Sequence, residues 1–244
     1  MQNVTILDVS YFVMNSTLSM FPYKLHDTPI PVADLTSQLL SRLHHVLHYH
    51  GSSPDRESVM YMAFDTPPLV RTFEYPDYKA NRLEKSDVVL RLIDIGMDVC
   101  RNYEAGIALG VVGLEADDII ANLVRQIAVE QPGSNITIFS KDSDMMGLLE
   151  EPNANVTFGW FDGTKRDRHS SPPKNVADVA YADILKYFAL TGGHNNLPKL
   201  LPPKKAKELL NNGTLEAYMA MFPNVKDAYE WNLRMASPIE YNVI

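Results

Sequence analysis

Three acidic residues share one helical turn at Glu115-Ala116-Asp117-Asp118, inside GLEADDIIANLV. One or two acids in a first turn simply favour the helix macrodipole. Three, two of them adjacent, repel one another and call for a cation. A second group, Ser140-Lys141-Asp142-Ser143-Asp144, follows the apolar run ITIF. Taken alone, it is accounted for by a polar strand-to-helix turn with Asp144 as N-cap. Asp8 and Asp65 each follow another apolar run, VTIL and SVMYMAF. Together these seven carboxylates are hard oxygen donors that suit Mg²⁺ or Mn²⁺ rather than zinc. Two such ions about 4 Å apart would clamp an in-line phosphoryl displacement. A further stretch, RTFEYPDYKANR, mixes Arg71, Lys79 and Arg82 with Phe73, Tyr75 and Tyr78. Basic groups neutralise phosphates and aromatic faces stack on unpaired bases. An ordinary solvated loop has the same composition, and both readings stay open at this point.

Positioning these residues is the work of the elements around them. Val4 to Leu7, Ser58 to Phe64, Ile107 to Val112, Ile136 to Phe139 and Val156 to Trp160 read as strands. Helical periodicity covers Val32 to Tyr49, Ser86 to Arg101 and Glu115 to Val129. Strands alternating with helices predict an α/β fold with a mostly parallel central sheet and flanking helices. Ligands of such sheets bind outside the carboxyl ends of the strands. Asp8, Asp65 and Asp142 all follow predicted strands, so they are expected at one sheet edge. After the polar, proline-bearing segment RHSSPPKN the chain turns helical and short-looped, broken by Pro198, Pro202, Pro203 and Pro223. The division expected is a core over 1–170, with a basic region at about 71–90, and a helical lobe over 171–244.

The chain of 244 residues is long enough for a sizeable core. Its net charge of −8 argues against a general phosphate-coating protein, although bound cations would reverse the local sign. No run of about 18 apolar residues predicts a membrane span. The start, MQNVTILDVS, lacks the basic flank and cleavage site of a signal peptide and reads as a strand. Cys100 is the sole cysteine, so no internal disulfide forms, and core packing is the expected role. His44 and His48 lie one helical turn apart, with His45 and His50 nearby, but no acid or cysteine joins them, so a helix face is expected rather than zinc.

The motifs ILDVS, FDTP, YPDYKANR, GLEADDIIA and SKDSDMMGLL, in this order, make the chain resemble the 5′-nuclease or flap endonuclease family. That family includes phage 5′-3′ exonucleases and the 5′-nuclease domain of bacterial DNA polymerase I. The resemblance implies a PIN-like core and a helical lobe with a helix–hairpin–helix-type motif, here degenerate. It implies Mg²⁺ or Mn²⁺ held by Asp8, Asp65, Glu115, Asp117, Asp118, Asp142 and Asp144, with Asp65 and Asp142 essential to catalysis. Lys79 and Arg82 are implied to hold the scissile phosphate beneath an arch, Tyr78 to stack on a terminal nucleotide, and Arg71 to contact DNA. The implied substrate is DNA with a 5′ single-stranded end or flap, with RNA in RNA–DNA hybrids a further candidate. A cytoplasmic monomer acting in replication or repair completes the expectation.

Two segments depart from the family pattern. Gly193 and Asn195, in TGGHNNLP, stand where the family has its last two metal-binding aspartates, which puts a second metal in doubt. The segment from Lys199 to Lys207 replaces a glycine-rich hairpin, and prolines supply no N–H to a phosphate. Lys199, Lys204, Lys205 and Lys207 could substitute by charge. Two alternatives stay open: a PIN-like ribonuclease, and a DNA-structure-binding accessory protein with weakened catalysis.

Overall fold

The computed structural model describes residues 2–20, 32–48, 58–82, 86–160, 164–193 and 195–241. Tyr49, His50 and residues 83–85 of the expected basic region lie outside these. Strands β1 (Asn3–Asp8), β2 (Ser58–Ala63), β3 (Ile107–Leu109), β4 (Asn135–Phe139), β5 (Asn155–Gly159) and β6 (Lys165–Arg166) form one sheet in the order β3-β2-β1-β4-β5-β6. All neighbours run parallel except β6, which is antiparallel to β5. The five expected strands are present, with β3 ending three residues early, before Gly110 and Val111.

Helices cover both faces. On one side lie α1 (Val9–Met20), α2 (Val32–His48) and α4 (Asp87–Arg101). Their Phe12, Leu39, Leu43 and Leu92 pack on Leu7, Met60 and Met62. The short α3 (Val70–Glu74) lies between β2 and α4 in sequence. On the other face α5 (Ala116–Glu130) packs against β1, β2 and β4 through Ile119, Ile120, Leu123 and Val124. Each such buried side chain stabilises by about 1.5–3 kcal/mol. The helices α6 (Ile184–Thr191), α7 (Pro203–Asn211), α8 (Leu215–Met221) and α9 (Pro223–Ala236) place Ile184, Leu190, Leu209 and Tyr229 in the same cluster as α5. Residues from 171 onward therefore share a continuous core with the sheet.

Helix α1 was not legible in the sequence. It starts at Val9, directly after β1, with no breaker between. Its Val13 meets α4 at Gly96, where an added Cβ would stand 2.5 Å from Val13 Cγ1. Cys100 is buried as expected, and burial pushes its thiol up to about 12. Among the described residues no helix is long and apolar enough to cross a membrane.

Register sets the level of the strand ends. Asp8 pairs with Ala63, and Leu7 with Phe139, so Ser140 lies beside Asp8 while Asp65 and Asp142 follow within three residues. The chain steps outward from β1 through β2 to β3, then crosses back to β4 on the other side of β1. This reversal is the topological switch point of a doubly wound sheet, the expected place for a ligand.

The α1–α4 contact yields a test. Gly96→Ala should destabilise by about 1–3 kcal/mol through overpacking, despite the gain of about 1 kcal/mol in helix propensity. Adding Val13→Ala should recover part of the loss. Urea denaturation of the single and double variants measures both, and an unchanged Gly96→Ala midpoint would refute the close contact.

Candidate metal centre

Each acid arrives by a local device. Asp8 ends β1, where its Oδ1 accepts from the Tyr11 N–H (3.0 Å) and its Oδ2 from Ser140 Oγ (2.8 Å). Asp65 follows β2 and accepts from Ser10 Oγ (2.7 Å) and from the Ala116 N–H (2.8 Å), tying it to the start of α5. Asp142, rather than Asp144, caps the 3₁₀ helix Ser143–Glu150, accepting from the Asp144 N–H at 3.0 Å. Glu115 caps α5 in a capping box with Asp118, whose Oδ2 accepts from the Glu115 N–H at 3.0 Å. Asp117 follows on the next azimuth of the helix.

Burial and like charge act together here. Desolvation first, then the carboxylates of Asp65 and Asp142, raise Asp8 to about 6 against donors that lower it. Asp144 rises to about 7, from burial and then Asp142. Asp117 is held well above the usual carboxylate range by burial, then by Asp142 and Asp8. Asp142 is thus the common neighbour of Asp8, Asp117 and Asp144. Asp144 Oδ1 is buried with no hydrogen-bond partner. Asp144 lines a cavity of about 20 Å³ together with Asp117, Glu115 and Asn195. That is space for about one water-sized particle. Among the described residues no three acids converge into a ready-made cage. The Asp142 carboxylate nonetheless acts on Asp8, Asp117 and Asp144, so these groups lie within reach of its charge.

Asp118 departs from the expected ligand set. It is fully buried, and both its oxygens are filled: Arg71 Nη2 (2.7 Å) and the Ile239 N–H (2.8 Å) at Oδ1, Arg71 Nη1 (2.8 Å) and the Glu115 N–H at Oδ2. Nothing is left for a cation. Glu115 is partly engaged, its Oε2 by Arg71 Nη1 (2.8 Å) and Tyr78 OH (2.7 Å), its Oε1 by Lys79 Nζ.

The basic and aromatic residues sort differently from expectation. Arg71 is 6% exposed and spent on Glu115 and Asp118, so it is not open to DNA phosphate. Tyr78 is 5% exposed, with Arg71 and Lys79 beside its ring and its hydroxyl bonded to Glu115. Lys79 sits at φ +57° and its N–H donates to Asn195 O (3.2 Å), which docks this loop on the TGGHNN segment. Arg82 is exposed. Asn195 is buried, and its side chain reaches Asp144, lowering it slightly against the larger raising effects. Gly193 has φ +50°, and a Cβ there would stand 3.2 Å from Phe188, a tight approach.

The lysine-rich segment is partly committed. Pro203 opens α7, as its missing N–H allows. Lys207 donates to Ala177 O beside Asp178, and Lys205 pairs with Glu208 at 3.0 Å. Lys199 and Lys204 are exposed. Sequence reasoning missed Arg71's structural role, together with Ser10 and Ser140, because their partners are remote in sequence.

A family model described as the 5′-3′ exonuclease, N-terminal resolvase-like domain, matches residues 23–177. The flap endonuclease Xni of Vibrio cholerae is 31% identical over 160 residues, covering 63% of this chain and 54% of that protein. DNA polymerase I of Rhizobium leguminosarum is 28% identical over 165 residues, 62% of this chain and 15% of the polymerase. The matched stretches thus take in about half of one relative and a small part of the other. Among solved structures, a T5 protein co-crystallized with metal ions superposes at TM-score 0.68 and 15% identity, over 96% of this chain and 88% of that one. A bacteriophage T5 flap endonuclease in a pseudo-enzyme-product complex with DNA and metal ions gives 0.67 at 15% identity, over 96% and 87%. At that identity the superpositions speak for the fold, while the sequence match over 23–177 places this chain in the 5′-3′ exonuclease N-terminal resolvase-like domain family.

Proposed function

We propose that this chain is a divalent-metal-dependent 5′-nuclease that hydrolyses DNA phosphodiester bonds at 5′ single-stranded ends or flaps. The observation that carries this reading is the buried, unpartnered Oδ1 of Asp144, a residue that lines a water-sized cavity with Asp117. An orphaned buried carboxylate oxygen is costly unless a cation or proton meets it. Oxygen-only donors suit Mg²⁺ or Mn²⁺. When bound, such an ion lowers the pKa of a coordinated water and offsets charge on the phosphoryl oxygens. Asp8, Asp65, Asp117, Asp142 and Asp144 would hold it, and Asn195 would add a neutral oxygen or orient Asp144. Glu115 would join through Oε1 once Lys79 turns toward a phosphate. Lys79 and the exposed Arg82 would stabilise the developing charge of that phosphate. Lys199 and Lys204 would grip the duplex backbone, with 71–90 and 171–244 as the strand-handling and duplex-handling regions. The names of the relatives, a flap endonuclease and DNA polymerases I, support this substrate class, and RNA in hybrids is a secondary candidate. A soluble monomer in a replication or repair setting fits the reading.

A second reading, DNA binding with weak cleavage, rests on Gly193 and Asn195, which supply no charge to a second cation. One assay separates the two. On a 5′-flap DNA, Mg²⁺- or Mn²⁺-dependent cleavage should fall about 10²–10³-fold in Asp142→Ala and in Lys79→Ala, with the fold retained. Tight binding without cleavage in either metal would favour the second reading. Equal cleavage by Asp142→Ala would sink the first.

Titration gives an independent check. Asp8 and Asp144 are raised from 3.8 to about 6 and about 7, so the metal-free folded state binds protons that the unfolded state releases. Their stabilising contribution is complete below pH 3.8 and is lost as pH rises through 6 to 7. The thermal midpoint of EDTA-treated protein should therefore fall from about pH 5 to about pH 8, and Mg²⁺ should restore it at the upper end. A flat profile unmoved by Mg²⁺ would contradict the assigned cluster.

A further inference from the structure

The buried face of α3 and the far end of the chain meet at Arg71. Besides its bonds to Glu115 and Asp118, its Nε donates to Met235 O (3.0 Å) and its Nη2 to Ser237 O (2.7 Å). Past α9 the chain runs along α5 as a strap. The Ile239 N–H donates to Asp118 Oδ1 (2.8 Å), Asn122 Nδ2 donates to Ile239 O (2.7 Å), and the Tyr241 N–H donates to Asn122 Oδ1 (3.1 Å). Ala236 and Pro238 line the cavity that holds Asp117 and Asp144. All of the strap lies beyond residue 177, outside the stretch matched by the family model.

We infer that this strap, residues 235–241, with Arg71 and Asn122 that hold it, positions Asp117 and Asp144 for the cation, a role that rests on the nuclease reading above. Two physical reasons support it. Successive helical residues differ by about 100° in azimuth, so a clamp that fixes Asp118 also fixes where Asp117 points. Arg71 takes up charge from Glu115 and Asp118, which leaves Asp117 as the first-turn carboxylate free to attract a cation. Arg71 and Asn122 are positioning residues: neither need touch the substrate.

The test measures Mn²⁺ binding by calorimetry on the full chain without DNA. Asn122→Ala cuts the bonds to the strap, and with them the Nδ2 bond to Asp118 O (2.7 Å), while removing no carboxylate; Arg71→Lys keeps the charge and loses the fork. Both should weaken Mn²⁺ affinity at least about fivefold, while the surface variant Lys226→Ala leaves it unchanged. A folded Asn122→Ala with wild-type affinity would overturn the inference. Wild type itself supplies a second readout, since coupling is reciprocal: Mn²⁺ should slow hydrogen exchange at the Ile239 and Tyr241 amides. Exchange unchanged by Mn²⁺ that demonstrably binds would overturn the strap's role and leave the nuclease reading standing. Wild type that binds no Mn²⁺ would overturn both.

Discussion

Like charges packed at one sheet edge repel, and the rest of this site is arranged around that repulsion. The protein answers it in three ways. Buried cations meet Glu115 and Asp118, through Arg71 and Lys79. Neutral donors meet Asp8 and Asp65, through Ser10, Ser140 and the backbone N–H groups of Tyr11 and Ala116. Asp117 and Asp144 get neither in full, and burial, then the Asp142 carboxylate, raises their affinity for protons. A group left in that state is an electrostatic demand for a proton or a cation.

The sheet makes this concentration possible. Reversal of strand order between β1 and β4 opens a crevice where the two chain crossovers part. The helix α5 points its N-terminus into the crevice, bringing three acids in one turn and a positive dipole end to steady them. Its opposite end is anchored in a core that both sheet and C-terminal helices share. Rigidity of α5 then passes to Asp117. The bonds from Asp65 to Ala116 and from Arg71 to Asp118 lock that helix start from two sides.

Much of this was legible in the sequence because strand ends are. Apolar runs that stop at an aspartate place Asp8, Asp65 and Asp142 by topology alone, and register confirms it at Asp8 with Ala63. Motif order identified the family. What stayed hidden was the pairing of charges. Arg71 lies in a stretch with the composition of a DNA-contacting loop, yet its partners are 44, 47, 164 and 166 residues away. Composition cannot distinguish a solvated guanidinium from a buried one. Tyr78 and Asp118 follow from the same burial: with Arg71 inside, Asp118 is bonded to it and Tyr78 packs beside it. Helix α1 was missed because Val9 continues from β1 without a break, so periodicity had no boundary to mark.

The most direct test of the account is where a cation settles. Anomalous diffraction from a crystal soaked in Mn²⁺ should show a peak at about 2.1–2.2 Å from carboxylate oxygens among Asp8, Asp117, Asp142 and Asp144, with the Arg71–Asp118 pair intact. A peak on Asp118 with Arg71 displaced, or none at the sheet edge at saturating Mn²⁺, would contradict it.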